Sequence, residues 1–485
     1  MTTFDSFNPA HPAEVVGTFP LHGAAEVDAA VAIAADAQRA WAATPVPARA
    51  EIIGACGVVL AEMKTELARL VAREAGKVLV EAGGDVQEAV DMALFVAGQG
   101  RAAFGETVPS ELRDKLAWTT RQPIGVVGLI TPWNFPIAIP AWKVFPALLA
   151  GNGVVLKPSE HAPACAEAFA AACIEAGVPH GLLQMIYGHA NPATVLAVHP
   201  GVGAVSFTGS VRAGRAVAVA AMENGPKVVS LELGGKNAMI VADDADLELA
   251  VDGAIFGAFG TAGQRCTSTS RLVAHPAIAD ELVARIVERA TALRLGDPLD
   301  ITTDVGPVIT AAAAGRIVAA VEGAVEAGAG LACGGHLRDD LAGCERGAFV
   351  EPTVLTGVKP EDRIAREEVF GPVLAVVEID DLDEAIAVVN SVEYGLSACI
   401  YTRDVNRAMH AVERIDAGIV YVNAPTIGAE ISLPFGGTRH TGNGFREAGR
   451  RGVEQFSQVK SVYLDYSGRL QRAQIDNRAP VADEA

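Results

Sequence analysis

The chain has 485 residues, half of them apolar, which is more than one hydrophobic core usually holds, so two or three packed domains are expected. Its 58 acidic and 38 basic residues give a formal net charge of −20 at pH 7, which argues against a nucleic-acid partner. The seven cysteines are scattered and form no C-x-x-C pair, so we expect no disulfide framework and no metal site. No segment has the pattern of a secretion signal or a membrane span, and we predict a cytoplasmic protein without a membrane partner.

The first part of the chain, after a polar arm, places apolar residues at three- and four-residue spacing, which predicts amphipathic helices. From residue 124 onward, short β-branched runs alternate with helical patterns, which predicts a parallel α/β sheet of the nucleotide-binding type. The expected helices are residues 24–42, 48–75, 86–104, 164–176, 192–198 and 211–222. The expected strands are residues 124–130, 154–156, 183–187, 204–207 and 228–231.

A second α/β series is predicted to begin at Ala238, with a domain boundary close to Glu232. An apolar, helix-like run covers residues 247–259, and further helices are expected at residues 280–292, 311–327 and 382–390. Strands are expected at residues 373–378, 398–401 and 419–422. The segment 456–465 looks like a strand that pairs with a partner chain, and residues 468–485 form a polar tail.

One cysteine stands apart from the others. Cys266 lies in the polar, turn-prone stretch Gly-Gln-Arg-Cys-Thr after an apolar helix, so we expect its thiol to face a cleft. Glu232 ends an apolar strand and is followed by glycines that allow close backbone approach, and its pKa is expected to be raised. Taken alone, a cysteine such as Cys266 is usually a small buried hydrophobe, and the structural interpretation of Glu232, as a capping or salt-bridging carboxylate, is favoured. Together they suit a nucleophile and its base.

Asn134 lies between aromatic residues in the stretch Thr-Pro-Trp-Asn-Phe-Pro, at the end of a predicted strand. Such an asparagine is often conformational and supplies an Asx turn. Its amide is also a suitable donor to an oxyanion, together with the backbone N–H of Cys266, and such a donor typically lowers a barrier by roughly 3 kcal/mol.

Three further segments follow predicted strands or turns. Lys157-Pro-Ser-Glu160 lies at the carboxyl edge of the sheet, where doubly wound folds bind nucleotides. Phe207-Thr-Gly-Ser210 closes a strand and opens a helix whose N–H groups suit a phosphate, although the pattern lacks the lysine of a P-loop. The segment Glu367-Glu-Val-Phe-Gly-Pro372 reads by itself as a surface loop.

Taken together, the segments TPWNFP, LKPSE, FTGS, LELGGKN, GQRC, EEVFGP and PFGG resemble the aldehyde dehydrogenase superfamily, in the order of that family and over nearly the whole chain. Within it, the sequence is most similar to bacterial non-acylating enzymes of the semialdehyde and broad-specificity type. The resemblance implies a Rossmann-like cofactor domain, an α/β catalytic domain and a small β oligomerisation ribbon. It also implies oxidation of an aldehyde to a carboxylic acid, with NAD as cofactor and NADP as a further possibility.

The resemblance assigns Cys266 as the nucleophile, Glu232 as the general base and Asn134 as an oxyanion donor. Hydride would pass to the nicotinamide, and water activated by Glu232 would hydrolyse the thioester. A carboxylate at Glu160 favours NAD over NADP, while Lys157 and Arg212 soften that preference. The implied cofactor residues are Thr131, Pro132, Trp133, Lys157, Ser159, Glu160, Phe207, Thr208, Gly209, Ser210, Leu233, Gly234, Glu368 and Phe370.

The positions that match the substrate tunnel of the family are Phe135, Trp142, Arg265, Thr267, Ala429, Glu430 and Ile431. Arg265 either holds a substrate carboxylate, which would favour short semialdehydes, or pairs with an acidic residue and points away. Glu430 would oppose an anion or accept an amine, so the substrate stays open at this point.

Two rival classes remain. A CoA-acylating aldehyde dehydrogenase uses a similar fold and thiol, but usually lacks the base matched by Glu232. A structural or binding protein of the same fold would lack the nucleophile or the base. A cysteine hydrolase is disfavoured, because only His161 and His440 lie at the edges of the matched segments.

The resemblance also divides the chain and predicts a dimer or tetramer, with a small-molecule aldehyde as the substrate. The expected cofactor domain is residues 1–106 and 126–231, the catalytic domain 232–455, the ribbon 107–125 and 456–467, and the tail 468–485.

Overall fold

The computed structural model describes residues 2–102 and 104–476. The part of the predicted tail beyond residue 476 lies outside the described residues. The chain begins with an antiparallel strand pair, which the prediction of a polar arm missed, and continues with four helices and the first two strands of a ribbon. These elements are β1 (Thr3–Phe7), β2 (Val15–Pro20), α1 (Ala24–Ala43), α2 (Val46–Glu62), α3 (Lys64–Ala75), α4 (Leu79–Gln99), β3 (Thr107–Val108) and β4 (Lys115–Pro123).

The helical prediction for residues 48–75 was wrong in one respect, because the chain forms two helices with a break at Met63. Both helices bury apolar residues at the same spacing, so the periodicity continues across the break and does not reveal it. The next helix, α4, begins seven residues earlier than predicted, with Gly83 and Gly84 inside it, and ends at Gln99. Glycines are poor helix formers, and packing against neighbouring helices overrides that preference here.

A five-stranded parallel sheet, which we call the cofactor sheet, follows the ribbon strands. Its order is β7-β6-β5-β8-β9, as expected of a nucleotide-binding layout. The strands β5 and β6 are buried along their whole length, which explains their continuous apolar sequences. The elements are β5 (Val126–Ile130), α5 (Ala138–Ala150), β6 (Gly153–Lys157), α6 (Pro163–Glu175), β7 (Leu183–Met185), α7 (Ala190–Val198), β8 (Val202–Thr208), α8 (Val211–Ala221) and β9 (Val228–Glu232).

The second predicted series forms a seven-stranded sheet, which we call the catalytic sheet. Its order is β12-β15-β16-β11-β10-β18-β19, and only β12 runs antiparallel to its neighbour. Its strands and the elements around them are β10 (Asn237–Val241), α9 (Leu247–Phe259), a 3₁₀ turn (Gly260–Gly263), β11 (Thr269–Ala274), α10 (Pro276–Ala292), α11 (Ala311–Glu326), β12 (Gly330–Cys333), β13 (Leu337–Arg338), β14 (Phe349–Val350), β15 (Thr353–Thr356), α12 (Arg363–Arg366), β16 (Val373–Glu378), α13 (Leu382–Asn390), β17 (Tyr394–Gly395), β18 (Ser397–Tyr401), α14 (Val405–Arg414) and β19 (Ile419–Val422).

The ribbon is a three-stranded sheet of order β21-β4-β3. Its last strand comes late in the chain, where the elements are β20 (Thr438–Arg439), α15 (Gly449–Glu454) and β21 (Ser457–Asp465). The last strand, predicted at residues 456–465, pairs antiparallel with β4 of its own chain, from Ser457 opposite Pro123 to Asp465 opposite Lys115. Among the described residues its other edge is unpaired, so pairing with a partner chain stays a prediction. None of the described helices is by itself long and apolar enough to span a membrane.

One buried side chain ties the ribbon to the cofactor sheet. Asn152 accepts hydrogen bonds from the backbone N–H groups of Ile124 (2.7 Å) and Gly125 (3.1 Å) at the start of β5. Its amide donates to the carbonyl oxygens of Ala147 (3.0 Å) and Phe456 (2.8 Å). Because Asn152 is fully buried, no water can replace these four bonds.

We therefore expect Asn152→Ala to lower the free energy of unfolding by about 2–4 kcal/mol, because it leaves several buried backbone groups without partners. Equilibrium urea denaturation measures the loss. The matched control is Asn224→Ala, since the exposed Asn224 makes one bond to the Val198 carbonyl. Equal stability of the two variants would contradict this role for Asn152.

Candidate active site

The segment before Cys266 has an unusual backbone. Thr261 and Ala262 have φ values of 54° and 50°, which are rare for residues with a side chain, and Gly263 follows at 68°. A Cβ at Gly263 would lie 2.1 Å from the carbonyl oxygen of Gly371, so only glycine fits there. This tight turn after α9 places Cys266 in the loop that leads into β11, as the sequence predicted.

The thiol of Cys266 lies in an acidic environment. Cys266 is partly exposed as a whole residue, and its backbone carbonyl accepts a hydrogen bond from Asn237 Nδ2 at 2.8 Å. Burial of the sulfur raises the pKa of Cys266, and the carboxylates of Glu368, Glu232 and Glu447 raise it further. In this arrangement the group is a protonated thiol at neutral pH, so it needs a proton acceptor before it can act as a nucleophile.

Glu232 ends β9 and is 2% exposed, and neither of its carboxylate oxygens has a hydrogen-bond partner among the described residues. Burial raises the pKa of Glu232 well above its ordinary value, and Glu447 adds to this, while Lys143 and Arg446 oppose it. A Cβ at Gly436 would lie 2.4 Å from one of these oxygens, so the backbone closes tightly over the carboxylate. The raised pKa agrees with the sequence expectation and suits a group that exchanges a proton.

Sequence reasoning missed the ion pair beside Glu232. Lys143 on α5 and Glu447 form a salt bridge in which both side chains are almost fully buried, and Lys143 Nζ also donates to Ser206 Oγ at 2.7 Å. No motif marks these residues. The available signal was the lysine itself, which interrupts an otherwise apolar helix and therefore required a buried partner.

Asn134 is buried next to the loop of Cys266. Its Nδ2 donates to the carbonyl oxygen of Gln264 at 3.0 Å, so the side chain reaches across to that loop and does not form an Asx turn in its own segment. An amide nitrogen carries two hydrogens, and a second one is left to donate to another acceptor. The position is therefore compatible with the predicted role as an oxyanion donor.

The cofactor candidates that follow the strands of the cofactor sheet share its carboxyl edge. Lys157 ends β6 with its ammonium 3.5 Å from Glu160 Oε2, and Ser210 accepts from the Ala213 N–H at 3.3 Å as the cap of α8. The hydroxyl oxygens of Thr131 and Thr208 are buried there and have no hydrogen-bond partner in the part of the chain that the structure describes. Unsatisfied donors beside a helix N-terminus fit a bound dinucleotide. The remaining candidates at this edge are Pro132, Trp133, Ser159, Phe207, Gly209, Leu233 and Gly234.

Glu368 and Phe370 belong to a loop that the sequence by itself indicated as surface. Glu368 Oε1 accepts from the Gly235 N–H at 2.9 Å, and burial raises the pKa of Glu368 to about 7. Phe370 has a φ of 57°, and its ring meets Trp133 edge-on, with 5.6 Å between centroids. The structure thus joins this loop to the segment after β5 across the two sheets.

The predicted substrate residues lie in several different environments. Trp142 packs edge-on against Phe435, with 5.0 Å between centroids, and Thr267 is buried and accepts from Thr426 Oγ1 through its carbonyl oxygen at 2.7 Å. Phe135 lies under two cations, with Lys77 Nζ 3.3 Å from the ring centroid and Arg265 at 5.3 Å. The remaining three, Ala429, Glu430 and Ile431, line a surface cavity of about 500 Å³.

Arg265 pairs with an acidic residue, the second of the two alternatives considered from the sequence. Its Nη2 lies 3.6 Å from Glu81 Oε1, and its Nε donates to Thr261 Oγ1 at 2.9 Å. The same oxygen of Glu81 accepts from the Thr261 N–H at 2.7 Å. Glu81, which sequence reasoning also missed, thus holds both ends of the segment that precedes Cys266.

A group of possible metal ligands lies outside this site. Ligand atoms of His11, Asp297 and Cys344 lie within 4.8 Å of one another, so the absence of a metal stays a prediction.

Comparison with known proteins supports one family. Residues 1–462 match the model of the aldehyde dehydrogenase family. The chain is 41% identical to an alpha-ketoglutarate semialdehyde dehydrogenase of Haloferax volcanii, over 96% of each protein. It is 40% identical to a betaine aldehyde dehydrogenase of Brucella melitensis, over 90% of this chain and 89% of that protein. Its fold matches a crystal structure of betaine aldehyde dehydrogenase from Staphylococcus aureus in complex with NAD⁺ with a TM-score of 0.93 and 32% identity, over 97% and 92% of the two chains. The chain belongs to the aldehyde dehydrogenase family.

Proposed function

We propose that this NAD(P)-dependent aldehyde dehydrogenase forms a thioester on Cys266 and hydrolyses it to a carboxylic acid with Glu232 as the general base. The observation that carries the proposal is the buried, unpartnered carboxylate of Glu232 in the same acidic cluster as the thiol. A hydrolytic base also favours acid formation over transfer of the acyl group to CoA.

The sequence of steps follows from the residues. Glu232 accepts the proton of the Cys266 thiol, and the thiolate adds to the aldehyde carbon. The Asn134 amide and the backbone N–H of Cys266 donate to the resulting oxyanion. The cofactor residues named above would hold a nicotinamide dinucleotide, which would supply the hydride acceptor for oxidation of the thiohemiacetal to the thioester. Glu232 releases the thiol proton to solvent and then takes a proton from the attacking water, while the Cys266 thiolate leaves the acyl carbon and regains a proton.

We propose NAD as the preferred cofactor. The Glu160 carboxylate is 31% exposed, and although burial raises its pKa, Lys157 and other partners hold that pKa below its ordinary value. A charged carboxylate accepts a hydrogen bond from a ribose hydroxyl and repels a 2′-phosphate. Arg212, on α8, is exposed and is not needed for this preference.

We also propose a homo-oligomer built through the ribbon, with the domain boundaries predicted from the sequence. The outer strand β21 exposes the apolar side chains of Val459, Tyr463 and Leu464, and its free edge can extend a neighbouring sheet. A cytoplasmic location stays a prediction.

Relatives of this chain are named for substrates of opposite charge. The relative in Haloferax volcanii is named for an anionic semialdehyde, whereas the relative in Brucella melitensis is named for a cationic aldehyde. A short semialdehyde was considered from the sequence because Arg265 lies beside the nucleophile. Since Arg265 is paired with Glu81, that support is weakened.

We further propose Glu81 as a positioning residue. Its carboxylate fixes Thr261 and Arg265, and thereby stabilises a turn whose positive φ values cost of order 1–3 kcal/mol each in non-glycine residues. Without these contacts the turn can relax and displace Cys266 from the reacting carbon.

The first expected outcome concerns the nucleophile and the base. Cys266→Ala abolishes NADH formation from aldehydes in an absorbance assay, while Glu232→Gln, which removes the base of both steps, lowers turnover at least about 100-fold without a burst of NADH. Because the pKa of Glu232 is raised, the wild-type rate falls with decreasing pH above the usual carboxyl range, and the Gln variant lacks this limb. Acid formation only in the presence of CoA would contradict the hydrolytic assignment.

The second outcome concerns the cofactor. We expect Glu160→Gln to raise the ratio of kcat/KM for NADP to that for NAD by about tenfold, because it removes a repelling charge. The control is Glu175→Gln, an exposed carboxylate at the end of α6. An unchanged ratio in the Glu160 variant would mean that this carboxylate does not face the ribose.

The third outcome concerns Glu81. Glu81→Ala lowers kcat by about 10–100-fold through misplacement of the nucleophile, with little change in the KM for cofactor. Glu81→Gln retains an acceptor for the Thr261 N–H and recovers part of the loss. Iodoacetamide alkylation of Cys266, followed by mass spectrometry, reports the thiol directly. If Glu81→Ala and the exposed control Glu66→Ala behave alike in both assays, Glu81 has no positioning role.

A further inference from the structure

A cavity of about 500 Å³ lies between α4 and the segment 429–432. Three of its lining residues are acidic: Glu88 and Asp91 on α4, and Glu430 on the opposite wall. Phe95 and Ile431 add apolar surface to the same cavity. A pocket with acidic and apolar walls is suited to a cation that carries carbon substituents.

Direct contacts join one wall of this cavity to the loop of Cys266. Glu81 lies on α4, about two turns before Glu88. Its Oε1 accepts from the Thr261 N–H at 2.7 Å and lies 3.6 Å from Nη2 of Arg265, the residue before Cys266. The helix that lines the cavity is therefore bound to the loop that carries the thiol.

The nearby cations are engaged elsewhere. Arg265 pairs with Glu81 at 3.6 Å, and Lys77 pairs with Asp85 at 3.0 Å. A third cation, Lys64 on α3, donates to the side-chain amide of Gln87 at 2.7 Å.

The three carboxylates of the cavity, in contrast, are not paired with cations among the described residues. Within residues 2–102 and 104–476, none of Glu88, Asp91 and Glu430 forms an ion pair, and Asp91 accepts only from the Gln87 amide, at 2.8 Å. Even with Lys64 included, carboxylates outnumber cations around this cavity, so the local field attracts positive charge.

We propose that this cavity, formed by Glu88, Asp91 and Glu430, is a subsite for a cationic headgroup, so that the preferred substrate is an aldehyde with an ammonium or quaternary ammonium group. The inference rests on the proposed function, since it assigns the outer end of the same substrate path. An anionic semialdehyde would have to enter against the three carboxylates.

The strength of the subsite depends on pH. Burial raises the pKa of Glu88 to about 7, with Asp85 and Asp91 raising it and Lys77 and Arg265 lowering it. Glu430 faces Glu88 from the other wall. Below pH 7 Glu88 is mostly neutral and above it mostly charged, so the preference for a cation increases as the pH rises through this value.

The test uses the full-length enzyme with NAD and two aldehydes of nearly the same shape. Betaine aldehyde carries a trimethylammonium group, and 3,3-dimethylbutanal carries a tert-butyl group in its place. We expect kcat/KM to be about tenfold higher for the cation, and this ratio to fall with added salt and with acid. Succinic semialdehyde, compared with butanal, tests the opposite charge and is expected to be disfavoured.

Single substitutions test whether these three carboxylates cause the preference for the cationic aldehyde. Glu430→Gln, Glu88→Gln and Asp91→Asn should each move the ratio of cationic to neutral substrate toward one, whereas Glu326→Gln, an exposed change on α11, leaves it unchanged. Circular dichroism checks that each variant is folded.

The outcomes separate the two proposals. Oxidation of the neutral aldehyde at a rate equal to or above that of the cation, or a preference for the semialdehyde, overturns the headgroup subsite and leaves the proposed function intact. Failure to form NADH from any of the four aldehydes, with folded protein, overturns the proposed function and the subsite with it.

Discussion

The burial of several ionisable groups around Glu232 is the constraint on which the candidate active site depends. A carboxylate without a partner is costly in an apolar interior, and burial therefore raises its pKa. Glu232 is in this position at the end of β9, with the Lys143–Glu447 pair beside it. Burial and the neighbouring carboxylates raise the pKa of the Cys266 thiol as well. Both pKa values are therefore set by the whole cluster.

The loop of Cys266, the proposed nucleophile, is held by contacts with residues far away in the chain. The left-handed turn before Cys266 is stabilised by Glu81 from α4 and by the packing of Gly263 against Gly371. Asn134, from the segment after β5, bonds to the carbonyl of Gln264 in the same loop. Segments next to both sheets thus contact one short loop, which explains how its strained backbone is maintained beside Cys266.

Charge also organises the outer parts of the site. At the cofactor edge, Glu160 beside Lys157 provides a carboxylate where a ribose is expected. Beside the surface cavity, Arg265 and Lys77 are paired with Glu81 and Asp85, whereas the carboxylates on the cavity walls form no ion pair among the described residues. In the proposed subsite, acidic residues far from Cys266 in the sequence therefore have the role that its neighbour Arg265 would otherwise have. The sign of a charged residue in a motif is a weak guide to substrate specificity, because a side chain that is already in an ion pair is not free to bind a substrate of opposite charge.

Sequence patterns alone predicted many of the helices, the strands of the cofactor sheet and the family, because apolar periodicity and strand-end motifs are local signals. The strands β5, β16 and β19 and the helix α9 lie where these patterns predicted them, whereas β1, β2, α5 and β11 were missed. The folded chain was needed to show which distant side chains meet: Lys143 with Glu447, Asn152 with Phe456, and Glu81 with Thr261. It also showed that β21 pairs with β4 and that Arg265 is held by Glu81. These contacts join segments hundreds of residues apart in some cases, and packing, rather than local preference, selects them.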